Sequence, residues 1–152
     1  MLSIRKMHKE DIKILFNMAM LSFQRDYEKY GVYPPLLNMK RKCFQPPRMF
    51  GKTILADGKI IGGAFVMTFS RKGELGAIFL DPHQQHKGYG KQAILMIEEM
   101  CPKVKRWKLE TPGENFGLHK FYESLGYVKV GERKDKKSGI LAFKYEKISN
   151  VL

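Results

Sequence analysis

The stretch Glu74 to Met100, ELGAIFLDPHQQHKGYGKQAILMIEEM, decides how the rest of the chain is read. Leu75 to Leu80 is short and apolar, as a buried strand is, and Asp81 with Pro82 opens a turn. Gln85 to Gly90 is a glycine-bearing loop, after which Ala93, Ile94, Ile97 and Met100 recur at helical spacing on one face. Strand, glycine loop and helix in that order make a phosphate-binding layout. Gly88 and Gly90 let the backbone approach a ligand closely, and the free N–H groups that open the helix, at the positive end of its dipole, suit a pyrophosphate. His86 and Tyr89 belong to the same loop, and Lys87 and Lys91 add positive charge beside it. The run lacks the Gly-Lys-Ser/Thr ending of a P-loop and has too few correctly spaced glycines for the dinucleotide fingerprint. What remains is QxxGxG, from Gln85, Gly88 and Gly90. An ordinary turn can carry those three residues, so a second motif has to decide.

That motif is NFGLHKFYESLGY, Asn115 to Tyr127. Asn115 and Tyr122 are two helical turns apart, which puts both side chains near one face of a short helix that Gly126 can end as a left-handed cap. QxxGxG at a helix start, then a strand, then NxxxxxxYxxxGY, resembles the GCN5-related N-acetyltransferase (GNAT) family over Glu74 to Val130. One position departs: Leu118 stands where families of this kind often carry Ala.

The resemblance implies a single α/β (α+β) domain over 1–152. Its sheet is mixed and mostly antiparallel, with about six or seven strands, splayed central strands and about four flanking helices. It also implies acetyl-CoA as cosubstrate, no metal, and an amine acceptor. The backbone of Ile78, Phe79 and Leu80 would pair with the pantetheine amides like an added strand, and amides from Gln85 to Lys91 would hold the pyrophosphate. Asn115 joins the cofactor site by the same resemblance, and Tyr122 becomes the acid that protonates the departing thiolate. For the base two glutamates match: Glu110 corresponds to the glutamate of ribosomal-protein N-terminal acetyltransferases, and Glu74 to that of histone-type acetyltransferases. Glu110 is favoured, because the end of a splayed strand is closest to the reacting carbonyl, but either can be a solvated strand-end carboxylate.

At 152 residues and 43% apolar content the chain suits one domain with its own core. No run is long enough to span a membrane, and MLSIRKMHKED has charges where a signal peptide needs an apolar centre, so the start reads as mature and the location as cytoplasmic. Cys43 and Cys101 lack metal-ligand spacing and read as reduced thiols. His83 and His86 have no third ligand nearby and read as loop histidines.

The net charge of +13, from 28 Lys and Arg against 15 Asp and Glu, raises an acidic partner such as RNA or the ribosome. Against nucleic acid stands the spread of the positive residues. Their densest run, Arg133 to Lys137, is expected in a solvated hairpin loop. Lys103, Lys105, Arg106 and Lys108 precede a strand, where they meet coenzyme phosphates or water. A homodimer stays open.

Elsewhere the pattern gives a strand over Ser3 to Lys6 and a helix from Asp11 to Phe23 with Ile12, Leu15, Phe16, Ala19 and Phe23 buried. RDYEKYGVYPP follows as a loop whose Tyr27, Tyr30, Tyr33, Pro34 and Pro35 are candidates to line an acceptor cleft, then a helix over Leu36 to Phe44. Lys52 to Ala56 and Lys59 to Phe69 form a hairpin on Asp57-Gly58, and Arg71 to Gly73 returns the chain. Arg106 to Thr111 is a parallel strand, and Tyr127 to Glu132 with Gly139 to Glu146 is a last hairpin. A non-catalytic acyl-CoA sensor, or a basic module that docks on RNA or ribosomes, is the alternative to an enzyme.

Overall fold

Asp57 and Gly58 take φ of 51° and 81°, the two left-handed residues that a tight hairpin turn needs, and join β2 (Gly51–Ala56) to β3 (Lys59–Phe69). The computed structural model describes residues 1–30, 51–136 and 139–149, with the backbone alone for residues 26, 27, 29 and 30. β1 (Leu2–Lys6) pairs antiparallel with β2, and β3 with β4 (Lys72–Leu80). α2 (Tyr89–Met100) crosses over to β5 (Arg106–Pro112), which lies parallel to β4. α3 (Phe116–Ser124) and the hairpin β6 (Val128–Lys134) and β7 (Leu141–Ile148) complete a seven-stranded sheet in the order β1-β2-β3-β4-β5-β7-β6. This is the mixed, mostly antiparallel α+β domain that the sequence led us to expect.

The sheet divides two apolar layers. On one side Ile12, Leu15, Ala19 and Phe23 of α1 (Ile12–Tyr30) pack with Met7, Phe65 and Phe79. On the other, Ile94 and Ile97 of α2 and Tyr122 and Leu125 of the α3 region pack with Val66, Leu75, Trp107, Leu109 and Tyr145. β4 serves both layers only because it carries a bulge. Phe65 stands opposite Ala77 and Val66 opposite Leu75, which leaves Gly76 as the extra residue. Without it, Leu75 and Ala77 would share a face. With it, Leu75 and Ile78 pack on the α2 side and Ala77 and Phe79 on the α1 side.

Buried charge pins the helices to the sheet. The Asp11 carboxylate, before α1, accepts from Arg5 Nη1 (2.6 Å) and Nη2 (3.1 Å), the His8 N–H (2.8 Å) and the Thr53 hydroxyl (2.9 Å). The Arg5 hydrogen bonds, above all, hold its pKa at about 2. Glu98 of α2 accepts from the Tyr127 hydroxyl (3.1 Å) and from Lys147 Nζ (2.7 Å). Burial, then Glu98, pushes the Tyr127 phenol far above its ordinary pKa.

Several expected boundaries move. α1 runs on to Tyr30, because RDYEKY holds no glycine or proline to stop it; Tyr27 and Tyr30 are therefore helical rather than in a loop. Tyr33, Pro34, Pro35, the helix over 36–44 and Cys43 lie outside the described residues. Three α-helices are present among the described residues, against about four expected. The return before β4 is the shorter Ser70-Arg71 turn, with Ser70 at φ 55°. Met100 is exposed, while Glu98, which apolar periodicity passes over, is buried through its two hydrogen bonds. Arg133 and Lys134 lie in β6, not in a loop.

Candidate active site

The parallel ladder between β4 and β5 holds only Lys72↔Arg106, Gly73↔Trp107 and Glu74↔Lys108. Beyond Glu74 and Lys108 the strands separate, each still paired on its outer side, β4 to β3 and β5 to β7. The bulge at Gly76 lies just past the last pair, where its bend and added twist turn β4 away. A gap results, and along it β4 has no ladder partner on this side among the described residues. The Asp81 N–H donates to the Ile61 carbonyl (2.7 Å), which sets the alternation along β4: Phe79 turns its backbone polar groups to β3, while Ile78 and Leu80 turn theirs to the gap. Of the three residues expected to pair with a pantetheine, Phe79 is thus turned the wrong way, and its ring packs against α1.

At the wide end of the gap the chain enters α2. Asp81 caps a single 3-10 turn, Pro82–Gln84, by accepting from the His83 N–H (3.0 Å). Gln85 then turns its carboxamide inward, donating to Ser22 Oγ on α1 (3.3 Å) and towards the Leu80 carbonyl (3.4 Å). His86 (φ 64°) and Gly88 (φ 82°) are both left-handed, and Gly88 is the N-cap. The helix therefore starts at Tyr89, and Gly90, expected in the loop, belongs to its first turn. The first helical bond runs from the Gln92 N–H to the Gly88 carbonyl (3.1 Å), so the N–H groups of Tyr89, Gly90 and Lys91 make no backbone hydrogen bond among the described residues. Gly90 answers to space: a Cβ there would lie 3.3 Å from the Phe121 ring of α3. His86, Lys87 and Lys91 are exposed around this mouth, and Lys87 Nζ donates to Gln84 Oε1 (3.2 Å).

Asn115 stands just outside α3 as its N-cap, where Oδ1 accepts from the Leu118 N–H (3.1 Å). It starts the helix rather than lying within it, and like Tyr122 it is buried. The other end closes with the Tyr127 N–H on the Tyr122 carbonyl (3.1 Å) and the Gly126 N–H on the Glu123 carbonyl (3.1 Å), Gly126 being left-handed at φ 95°. Tyr122 is buried, its ring edge-on to Phe121 and Tyr127.

The two glutamates lie on the face opposite α2. Glu74 belongs to the last paired row, beside Lys108 (3.8 Å). Glu110 lies past the split, held by Arg133 through Nε–Oε1 (2.8 Å) and Nη2–Oε2 (3.1 Å). That pairing, more than the charges of Lys144 and Lys108, lowers the Glu110 pKa. Arg133 was not singled out from sequence, because nothing in a linear reading brings β6 to β5 across β7. Alternation along three adjacent strands is the signal that finds it.

Arg106 and Lys108 pair with Glu146 (4.0 Å) and Glu74 at the closed end of the gap. They stand about 20 Å of strand from the α2 mouth and so are not placed to meet coenzyme phosphates. Among the described residues no three His, Cys, Asp or Glu side chains group as metal ligands, and no helix is long and apolar enough to cross a membrane. Cys101 is a free, partly buried thiol whose pKa burial raises.

Known structures share this architecture. The ribosomal-protein-S18-alanine N-acetyltransferase of Escherichia coli superposes with a TM-score of 0.76 at 18% identity, covering 97% of this chain and 94% of that one. The PaiA N-acetyltransferase of Thermoplasma acidophilum, in complex with coenzyme A, gives 0.77 at 22%, covering 98% and 99%. The spermidine N-acetyltransferase of Vibrio cholerae, in complex with CoA and spermine, gives 0.71 at 17%, covering 99% and 96%. No curated protein sequence matches. The family model described as Acetyltransferase (GNAT) family matches residues 12–127. Split strands, a glycine-opened helix and a match over most of its length agree: the chain belongs to the GNAT acetyltransferase family, which uses acetyl-CoA.

Proposed function

We propose that the protein transfers the acetyl group of acetyl-CoA directly to a primary amine of a small molecule, a protein N-terminus or a lysine. The observation that carries this reading is the gap itself. The Ile78 backbone groups and the Leu80 N–H, which lack a ladder partner on the gap side among the described residues, suit the pantetheine amides, and the gap leads to the three α2 N–H groups without a backbone partner among those residues, which suit the pyrophosphate. With the coenzyme entering on the α2 face, the amine comes from the other face, where Glu74 and Glu110 lie.

In this reading the neutral amine nitrogen forms a bond to the thioester carbonyl carbon as the carbon–sulfur bond breaks. The Ile78 or Leu80 N–H on the open edge stabilises the carbonyl oxygen. Tyr122 gives its hydroxyl proton to the departing sulfur and Glu110 takes the proton lost by the nitrogen; solvent then returns Tyr122 and Glu110 to their starting states. Glu110 suits the base better than Glu74 because it lies past the split. Asn115 acts on the coenzyme through the helix it starts.

Release of free thiol from acetyl-CoA with a panel of amines tests the proposal, with amine-dependent release expected. Coenzyme A binding without release for any amine would make the protein an acyl-CoA sensor. The net charge of +13 favours a second reading, docking on RNA or the ribosome. Retention on RNA whose log affinity falls steeply with log salt, yet persists at physiological salt, would support it.

A further inference from the structure

The face that Glu110 shares is dense in cations held in register. Side chains alternate along β5, so Arg106, Lys108 and Glu110 lie opposite the buried Trp107, Leu109 and Thr111. Glu110 pairs with Lys144 of β7, and Pro112 with Ala142, which in turn pairs with Arg133 of β6. Arg133 is two strands away from β5, and its long side chain reaches Glu110 past Ala142, the small residue between them. Both glutamates that could take a proton from an amine are therefore in ion pairs with cations, Glu74 with Lys108 and Glu110 with Arg133. Glu110 also feels the charges of Lys144 and Lys108.

A base tied by both its oxygens to a guanidinium needs something to take its place there. A cationic acceptor such as a polyamine would meet Arg133, Lys144 and Lys108 as like charges. An acceptor with a carboxylate would instead offer Arg133 the same planar, two-oxygen partner that Glu110 now supplies. The geometry also limits the length of such a molecule. The guanidinium and the Glu110 oxygens are within hydrogen-bond distance, so a carboxylate seated on Arg133 brings an amine to Glu110 only if few bonds separate the two groups.

Resting on the transferase reading above, we infer that the acceptor is a small amino acid whose carboxylate lies within a few bonds of its amine. Arg133, with Lys144 beside it, binds that carboxylate and releases Glu110 to take the amine proton. Arg133 is thus a specificity residue, and the Arg133–Glu110 pair is the closed form of an acceptor site.

Acetyl transfer to a set of free amino acids is compared with transfer to their carboxamides, a linear diamine and a short peptide N-terminus, using the native protein and the Arg133→Gln and Arg133→Lys variants. The native protein is expected to favour its best amino acid over the matching carboxamide by about 10- to 100-fold in kcat/KM, the range of a hydrogen-bonded charge contact. Arg133→Gln is expected to remove that difference by raising KM for the free acid and by raising kcat on the carboxamide, for which Glu110 is then free, and Arg133→Lys to restore part of it. Equal use of acid and carboxamide, or preference for the diamine or the peptide, overturns this inference and leaves the transferase standing. So does an Arg133→Gln variant that loses kcat equally on acid and carboxamide, the mark of a structural role. If no amine is acetylated by the native protein, the transferase reading itself fails and this one with it.

Discussion

The Gln85 carboxamide donates to the Ser22 hydroxyl oxygen across 3.3 Å, tying the loop that opens α2 to the opposite helix layer. The side chain of the motif's glutamine thus faces inward and braces the loop. Gln85→Ala is expected to loosen the loop and raise the Kd for coenzyme A by about 3- to 10-fold, the scale of one ordinary hydrogen bond. Titration calorimetry checks this, and the melting temperature is expected to change little.

Gly88 is the sharper case. It is left-handed at φ 82°, and a Cβ there would point into open space, where a bound phosphate would approach. Gly88→Val meets both the backbone strain and the obstruction. Coenzyme A binding is expected to be lost in calorimetry while circular dichroism still shows a folded protein; undiminished binding would move the phosphate elsewhere.

Tyr122 and Glu110 separate by pH. Tyr122→Phe is expected to lower kcat by about 10²-fold or more, as loss of a general acid does, with KM for acetyl-CoA nearly unchanged because the ring still packs. The Glu110 pKa lies below the usual carboxylate range, so Glu110 is ionised throughout the neutral range. The rise of rate with pH therefore follows the amine, of which about one in ten is neutral at pH 7 for a peptide α-amino group and far fewer for a free amino acid, whose carboxylate stabilises the ammonium. Glu110→Gln is expected to cost most below the amine pKa and to recover above it. If Glu74→Gln shows that pattern instead, the base is Glu74.

Acid stability tests the buried carboxylate at the start of α1. The Asp11 pKa falls from 3.8 to about 2 on folding, so its contribution is full above about pH 4 and lost as pH falls through 2. The shift corresponds to about 2 kcal/mol. Denaturant melts are expected to show Asp11→Asn less stable by about that amount at pH 7, with the gap closing towards pH 2.

Where a pattern is local, the sequence was readable. Leu75 to Leu80 as strand, Asp57-Gly58 as turn and Gly126 as helix stop follow from period and backbone permission. What escaped it depends on partners far along the chain. Glu98 is buried because Tyr127 and Lys147 reach it, and Arg133 matters because β7 lies between it and Glu110. The direction of Phe79 depends on a ladder register that strand composition does not state. Counting residues puts Asn115 on the side of Tyr122 but does not reveal that its amide oxygen caps the helix, a role for which an Asn before Phe-Gly-Leu has the chemistry.

The short ladder at Lys72–Glu74 also bears on how the molecule opens. β1–β4 and β5–β7 are each continuous antiparallel units, but only three residue pairs join them in the sheet. The α2-side apolar layer spans both halves but the sheet hydrogen bonds barely do, so amide exchange in the β6–β7 hairpin is expected to differ from that in β2–β3. A coenzyme lying along the Ile78 and Leu80 edge would stitch the halves together, so that saturating ligand merges two exchange regimes into one and slows exchange at residues it never touches.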